Sequence, residues 1–241
     1  MPALVDDIAT YAGLEGVPSA LAAARDGVDA LLTDRGLRRT SSEVAAEALL
    51  RGAAASARLA GSGTDLEQLR AGQGDATASA AARLNAGLLA LVPVVGRSPL
   101  QTFARLHTLA ARGSVEPDRL GRPRDTDCSA QRLQALSVAL RAPVRVPAMA
   151  LAAVAHAEIA AYRPFQSGNG LVARALERLV LVSRGVDPAS VLVPEAGHLT
   201  LEPAYQPSLE RYAAGSAAGR RDWLMHCAEA YTVAAELSPL H

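Results

Sequence analysis

The apolar residues of this chain recur three or four positions apart among good helix formers, and no long stretch alternates apolar with polar residues. This spacing is typical of amphipathic helices and speaks against an extensive sheet. We therefore predict an all-α fold with at most a small β-hairpin. The predicted helices cover residues 19–32, 41–60, 76–91, 99–111, 129–141, 147–161, 170–184, 203–214 and 218–236.

The 241 residues suit one large domain, or one domain with a helical extension. We predict an N-terminal helical extension over residues 1–39, packed on a main domain over residues 40–241. Residues 113–127 are polar, contain two prolines and lack periodicity, which indicates a loop or a frayed hairpin. A second break at residues 185–202 contains VLVP, which has the composition of a short strand.

The charged residues exclude several classes of function. All 24 basic residues are arginines, so the P-loop and Schiff-base chemistries, which need a lysine, are excluded. The formal net charge is zero and no arginine-dense stretch carries interleaved aromatics, so we expect no nucleic-acid partner. Apolar stretches are short, and no basic stretch precedes an apolar one near residue 1, so we expect no membrane partner and a cytoplasmic location.

Metal-binding patterns are also missing from the sequence. Cys128 and Cys227 lie far apart, and neither belongs to a CxxC or Cys/His cluster. We therefore predict two reduced thiols, no disulfide framework and no metal site.

The most informative stretch is RPFQSGNGLVAR, from Arg163 to Arg174. Pro164 disfavours helix at the residue before it, so the preceding helix should end there. Gly168, Asn169 and Gly170 then form a tight turn before the next helix. The free amides of such a turn and the positive end of the helix dipole favour a phosphate.

This stretch resembles the signature of the Fic (Fido) family, HPFx(D/E)GNGRxxR, whose best-known members transfer AMP from ATP to a target hydroxyl. Four further segments resemble family elements: the helix AHAEIAAY with His156, the Leu106-His107 pair, the Gly121 to Arg124 loop, and the helix that ends in SARLAG. The resemblance covers roughly residues 40–235 and implies a Fido-type helical bundle. The matching motif positions are Pro164, Phe165, Gly168, Asn169, Gly170 and Arg174.

Four functional positions depart from the family pattern, so the motif is degenerate. Arg163 replaces the catalytic His, and an arginine stays protonated and cannot act as a general base. Ser167 replaces the acidic metal ligand, and a neutral hydroxyl is a poor Mg²⁺ ligand. Leu171 replaces the first phosphate-binding Arg, and Ala60 replaces the inhibitory Glu.

The resemblance and its losses together predict a pseudoenzyme with a nucleotidyltransferase-like fold. The groups expected to bind a nucleotide or another phosphate are Arg163, Gly168, Asn169, Gly170 and Arg174. The ligand that fits them is ATP or another nucleotide bound without Mg²⁺. Two alternatives stay open: an active nucleotidyl- or phosphoryl-transferase with non-standard chemistry, and an antitoxin-like or regulatory subunit with a protein partner.

The remaining candidate residues have simpler interpretations. His156 and His107 fit packing positions on apolar helix faces, and Phe165 fits a core position beneath the turn. His198 is predicted on a loop without a partner, and Ser56 as a cap or turn residue. The cluster Arg119, Arg122 and Arg124 is predicted as a solvated loop.

Overall fold

The computed structural model describes residues 4–33, 37–142 and 146–240. Within these ranges it contains 13 α-helices and no β-strand, which confirms the predicted all-α fold. The helices are α1 (Leu4–Ala12), α2 (Val17–Leu32), α3 (Leu37–Leu59), α4 (Leu66–Arg70), α5 (Ala76–Ala86), α6 (Val92–Val95), α7 (Pro99–Ala111), α8 (Asp127–Arg141), α9 (Ala148–Ala160), α10 (Asn169–Ser183), α11 (Pro194–Thr200), α12 (Glu202–Ala213) and α13 (Ala217–Glu236).

All nine predicted helices are present, and one of them is shorter than predicted. The helix predicted over residues 76–91 ends at Ala86, with Gly87 as its C-cap. A 3-10 helix at Leu89–Leu91 and the short α6, with a proline in its first turn, follow it. Glycine favours helix poorly and proline lacks an amide donor, so the long helix is divided at this point.

The strand suggested at VLVP is wrong. Residues 191–193 belong to no helix or strand and are buried, and Pro194 then starts α11. The amides of Val191 and Leu192 donate to the Asp187 carboxylate at 3.1 and 2.9 Å. A side chain therefore satisfies the backbone groups that a neighbouring strand would otherwise bind.

The predicted loop over residues 113–127 is confirmed as far as Thr126, which caps α8. One isolated β-bridge joins Arg112 and Val115, and a 3-10 turn covers Pro117–Arg119. This region forms no hairpin, since its two prolines and its glycines interrupt any ladder.

Helices α9 and α10 form the centre of the molecule. Every residue from Met149 to Ile159 in α9 and from Leu171 to Val182 in α10 is buried. A helix that is apolar on all faces must be covered on all sides, and α9 contacts α1, α8, α10, α12 and α13. The motif turn lies at the junction between α9 and α10.

The N-terminal helices pack on the same body. Helix α2 runs along α13, and α1 contacts α8, α9 and α13. Residues 1–3 and 34–36 of the predicted extension lie outside the described residues, as does residue 241 at the other end. The division at residues 39/40, which falls inside α3, stays a prediction.

No single helix in the described ranges has both the length and the apolarity needed to cross a bilayer. Ala76–Ala86 and Leu89–Val95 reach that length and apolarity only when they are taken together, and they are bent by 45° to one another.

Several glycines allow unusually close contacts between helices, among them Gly197 and Gly52. A Cβ on Gly197 would lie 2.0 Å from the Ala230 carbonyl oxygen, so α11 and α13 touch backbone to backbone. A Cβ on Gly52 would lie 2.8 Å from a Glu195 carboxylate oxygen. That carboxylate forms a fully buried ion pair with Arg178 at 3.0 Å.

We predict that Gly197→Ala destabilises the protein because the added methyl group cannot fit between α11 and α13. Overpacking of this kind costs about 1–3 kcal/mol. Gly27→Ala is the matched control, because a Cβ at this helical glycine meets nothing within 4 Å and should add about 0.5–1 kcal/mol. Urea unfolding measures both free energies, and equal effects of the two substitutions would contradict the close contact.

Candidate functional site

The motif turn joins the end of α9 to the start of α10. Arg163 adopts a left-handed conformation with φ of 48°, and Gly168 does so with φ of 69°. The Asn169 side chain fixes the turn, since its Oδ1 accepts from the Phe165 amide and its Nδ2 donates to the Phe165 carbonyl, both at 2.9 Å. The Asn169 side chain therefore stabilises the turn, and both of its polar atoms are already hydrogen-bonded.

The start of α10 presents free backbone donors. The first intrahelical bond is from the Val172 amide to the Gly168 carbonyl at 3.0 Å, and no side chain caps the helix. The amides of Asn169, Gly170 and Leu171 donate to no acceptor in the described part of the chain. Free amides at the positive end of a helix dipole form an anion site.

Two other predicted family elements contact the turn. Phe165 is buried and stacks on the His107 ring, with centroids 4.4 Å apart and planes 11° apart. His107 Nδ1 accepts from the Gly121 amide at 2.9 Å, and the Arg124 amide donates to the Pro164 carbonyl at 2.7 Å. Burial lowers the pKa of His107. His107 and Phe165 thus have the packing roles that the sequence predicts.

A cleft of about 850 Å³ opens in front of the turn. It brings together all eight predicted site positions: Ala60, Arg163, Ser167, Gly168, Asn169, Gly170, Leu171 and Arg174. Sequence reasoning missed the side chains that line its other walls, which come from α5, the end of α7 and α12. These include Arg83, Arg112, Tyr205, Gln206 and Glu210, and they lie too far along the chain from the motif for any spacing to reveal them.

The substituted positions have distinct surroundings. The Arg163 side chain is exposed at the cleft, whereas Leu171 is buried in the core. Ser167 shares a hydrogen bond of 3.1 Å with the Ser114 hydroxyl. Glu210 is the one acidic residue among those that line the cleft, and it is exposed.

Arg174 lies beneath the turn and is 2% exposed. Its Nε and Nη2 donate to the hydroxyl and the carbonyl of Ser56 at 2.8 and 2.9 Å, and its Nη1 donates to the Tyr205 hydroxyl at 3.1 Å. Ser56 is therefore a partner of Arg174 and not the cap or turn residue that the sequence predicts. No carboxylate forms an ion pair with Arg174 in the described ranges.

Gly170 lies directly over this guanidinium. A Cβ on Gly170 would meet Nη1 at 3.3 Å and Nη2 at 3.4 Å. A guanidinium has five N–H groups, and three of those on Arg174 donate to protein. Glycine at position 170 therefore leaves the free edge of Arg174 uncovered on the cleft side.

A buried hydrogen-bonded network continues from Tyr205 into the core. His156 Nε2 contacts the Tyr205 hydroxyl at 2.7 Å, and His156 Nδ1 contacts Glu177 Oε2 at 2.8 Å. His198 Nε2 contacts the same carboxylate oxygen at 2.9 Å. Glu177 Oε1 accepts from the Tyr231 hydroxyl at 2.8 Å.

The prediction for His198 is wrong, because this residue lies in α11 and is fully buried. The close contact of α11 with α13 places it against His226, with 3.1 Å between His198 Nδ1 and His226 Nε2. The prediction of a buried His156 is confirmed. His226 also lines a second cavity of about 500 Å³ beside α2 and α12.

His156, Glu177 and His198 have the chemistry of metal ligands, and their facing atoms lie within 4.8 Å of one another. Every nitrogen and oxygen of these three side chains already has a hydrogen-bond partner. Hydrogen bonds therefore satisfy all the polar atoms of these three side chains without a metal ion. Burial by itself raises the pKa of Glu177, but the two imidazoles hold it below its ordinary value.

Solved structures of Fic proteins share this architecture. Fic-1 from C. elegans aligns with a TM-score of 0.68 and 17% identity over 91% of this chain and 71% of that chain. The fold is that of Fic proteins. A Fic family protein from Desulfovibrio desulfuricans G20 gives a TM-score of 0.68 and 16% identity over 90% of this chain and 73% of its own. No protein-family model and no curated protein matches the sequence.

In this Fic fold the buried imidazoles make stability depend on pH. Burial lowers the pKa of His156 to about 4 and that of His226 to about 3, whereas an unfolded chain protonates histidine near 6.5. The unfolded state binds more protons below this pH. The stability contributed by the neutral imidazoles is therefore complete above about pH 6.5 and is lost as the pH falls toward 4.

We predict that the free energy of unfolding falls by about 1.4 kcal/mol per pH unit for each such imidazole between pH 6 and 5. Urea unfolding across this range measures the slope, and His226→Gln should make it shallower. Burial raises the pKa of Asp187 to about 6, so this carboxyl adds stability as the pH falls. It does so in both the wild type and His226→Gln. Equal slopes for the wild type and the variant would contradict the prediction.

Proposed function

We propose that this chain binds a phosphate-bearing ligand of the nucleotide class in the cleft, without Mg²⁺ and without transferring AMP. The proposal rests on the surroundings of the Arg174 guanidinium. This buried guanidinium has neutral partners, lies beside three free helix amides and keeps an open edge toward the cleft. A buried cation without a counter-charge gains from an anion.

The charges that line the cleft support the same ligand. Arg83, Arg112, Arg163 and Arg174 outnumber the single carboxylate of Glu210 there. Arg83 donates to the Leu109 and Arg112 carbonyls, so it contributes its charge from a fixed position. Arginine binds phosphate in a bidentate fashion, and a cleft of about 850 Å³ has room for a nucleotide.

The same cleft lacks a group that can act as a general base in the manner of a histidine. A guanidinium offers N–H donors and no proton acceptor, so Arg163 cannot take that role. The four histidines of the described ranges are buried, and none lines the cleft. Loss of general-base help costs about two to four powers of ten in rate, and Ser167 supplies no anionic oxygen for Mg²⁺. These losses support a pseudoenzyme.

Calorimetry with ATP, ADP, AMP and pyrophosphate in EDTA tests the proposal directly. We expect binding that weakens as phosphates are removed, because each phosphate adds charge near the amides and Arg174. Absence of heat at millimolar ligand would rule the proposal out. Transfer of label from radiolabelled nucleotides to protein, abolished in Arg163→Ala, would instead favour the transferase alternative.

We predict that Gly170→Ala weakens binding at least about tenfold, because the new methyl group covers the free edge of Arg174. Gly170 lies in the first turn of α10 with a helical backbone, so alanine adds no backbone strain, and urea unfolding measures the cost of its contact with the guanidinium. Gly27→Ala, outside the cleft lining, serves as the binding control. Unchanged affinity in Gly170→Ala would show that the ligand does not reach Arg174.

We predict that Arg163→Asn also weakens binding about tenfold through loss of one charged contact. Asparagine tolerates the left-handed conformation of this position better than arginine does, so stability should not fall. Arg105→Asn removes the same charge from an exposed site outside the cleft lining. If both substitutions weaken binding equally, Arg163 does not contact the ligand and contributes only to the overall charge of the protein.

A further inference from the structure

Two opposite charges are buried in this protein without direct contact. Arg174 is 2% exposed and Glu177 is fully buried. In the described ranges Arg174 has no carboxylate partner, and Glu177 has no arginine partner. An isolated buried charge is unstable unless polar groups around it compensate the charge. The groups between these two residues have that role.

Tyr205 and His156 connect the two charges in a line of short hydrogen bonds. The distances are 3.1 Å from Arg174 Nη1 to the Tyr205 hydroxyl, 2.7 Å from that hydroxyl to His156 Nε2, and 2.8 Å from His156 Nδ1 to Glu177. All four side chains are nearly or fully buried. Little solvent reaches these hydrogen bonds, and the low local dielectric strengthens them.

Only one direction of donation satisfies every atom in this line when the imidazole is neutral. Arg174 donates to the Tyr205 oxygen, the Tyr205 hydroxyl donates to His156 Nε2, and the His156 Nδ1–H donates to Glu177. Burial lowers the pKa of His156 and raises the pKa of Tyr205, and both effects favour the protonation states that this direction needs.

We infer that Glu177 is a positioning residue for Arg174, acting through His156 and Tyr205. The carboxylate fixes the imidazole, the imidazole fixes the hydroxyl, and the hydroxyl holds Nη1. Ser56 holds the Nε edge of the same guanidinium. The remaining edge is thereby directed at the uncovered side of Gly170, where the phosphate of the proposed ligand binds. The inference rests on the proposed function only for the identity of the ligand. The geometry of the network does not depend on that proposal.

A matched pair of substitutions separates positioning from general stability. Tyr205→Phe and Tyr231→Phe each remove one buried hydroxyl bonded to the network, but only Tyr205 contacts Arg174. We expect the dissociation constant for pyrophosphate in EDTA to rise about tenfold in Tyr205→Phe. In Tyr231→Phe it should change less than twofold, while both variants lose similar stability. Equal changes in affinity would overturn the inference.

A second readout needs no ligand. The Nε–H of Arg174 is buried and bonded to Ser56, so in ¹⁵N-arginine spectra of the free protein it should exchange slowly with solvent. We expect faster exchange in Tyr205→Phe and in Glu177→Gln, and slow exchange in Tyr231→Phe. Glu177 does not line the cleft, so its effect cannot come from direct contact with a ligand.

The two readouts distinguish failure of the inference from failure of the proposed function. If the wild type binds no pyrophosphate but Arg174 exchange responds to Tyr205→Phe and Glu177→Gln, the positioning network is supported and the proposed ligand is wrong. If Arg174 exchange is the same in all four proteins, Glu177 does not position Arg174, whatever the affinity shows.

Discussion

The guanidinium of Arg174 lies in the core beneath the cleft, held by two oxygens of Ser56 and one of Tyr205. Its charge demands compensation, and the surrounding fold provides it in two ways. Below the guanidinium, two neutral side chains connect it to Glu177. Above it, the free edge and the amides at the start of α10 face an open cleft. Arg174 therefore takes part in the packing of the core, in the buried hydrogen-bonded network and in the proposed binding site.

Three of the four substitutions change the chemistry of the cleft in the same direction. Ser167 and Ala60 stand where the family pattern has acids, and Arg163 stands where it has a titratable base. Each of these three changes removes either a negative charge or a proton acceptor, whereas Leu171 removes a positive charge that the family pattern has. In the proposed function the cleft keeps the features that attract a phosphate, while positions 163 and 167 lack the imidazole and the carboxylate that the family pattern uses to activate a nucleophile and to hold Mg²⁺.

Much of the fold could be predicted from local sequence. The periodicity of α7, α8, α9 and α10 is strong, and Pro164 with Gly168 marks the turn between the two central helices, so both helices and turn were predictable. The partners of Arg174 were not, because Ser56 and Tyr205 lie 118 and 31 positions away in the chain. His198 shows the same limit: its neighbours PEAG and LTLEP suggest a loop, and the backbone contact at Gly197 that buries it is a tertiary feature.

The complete absence of lysine gives the cleft a further property. Guanidinium groups keep their protons at every pH that a folded protein tolerates. Acetylation, the common way in which cells neutralise a basic side chain, acts on lysine. The positive charge of the cleft therefore comes from groups that neither acetylation nor ordinary changes of pH neutralise.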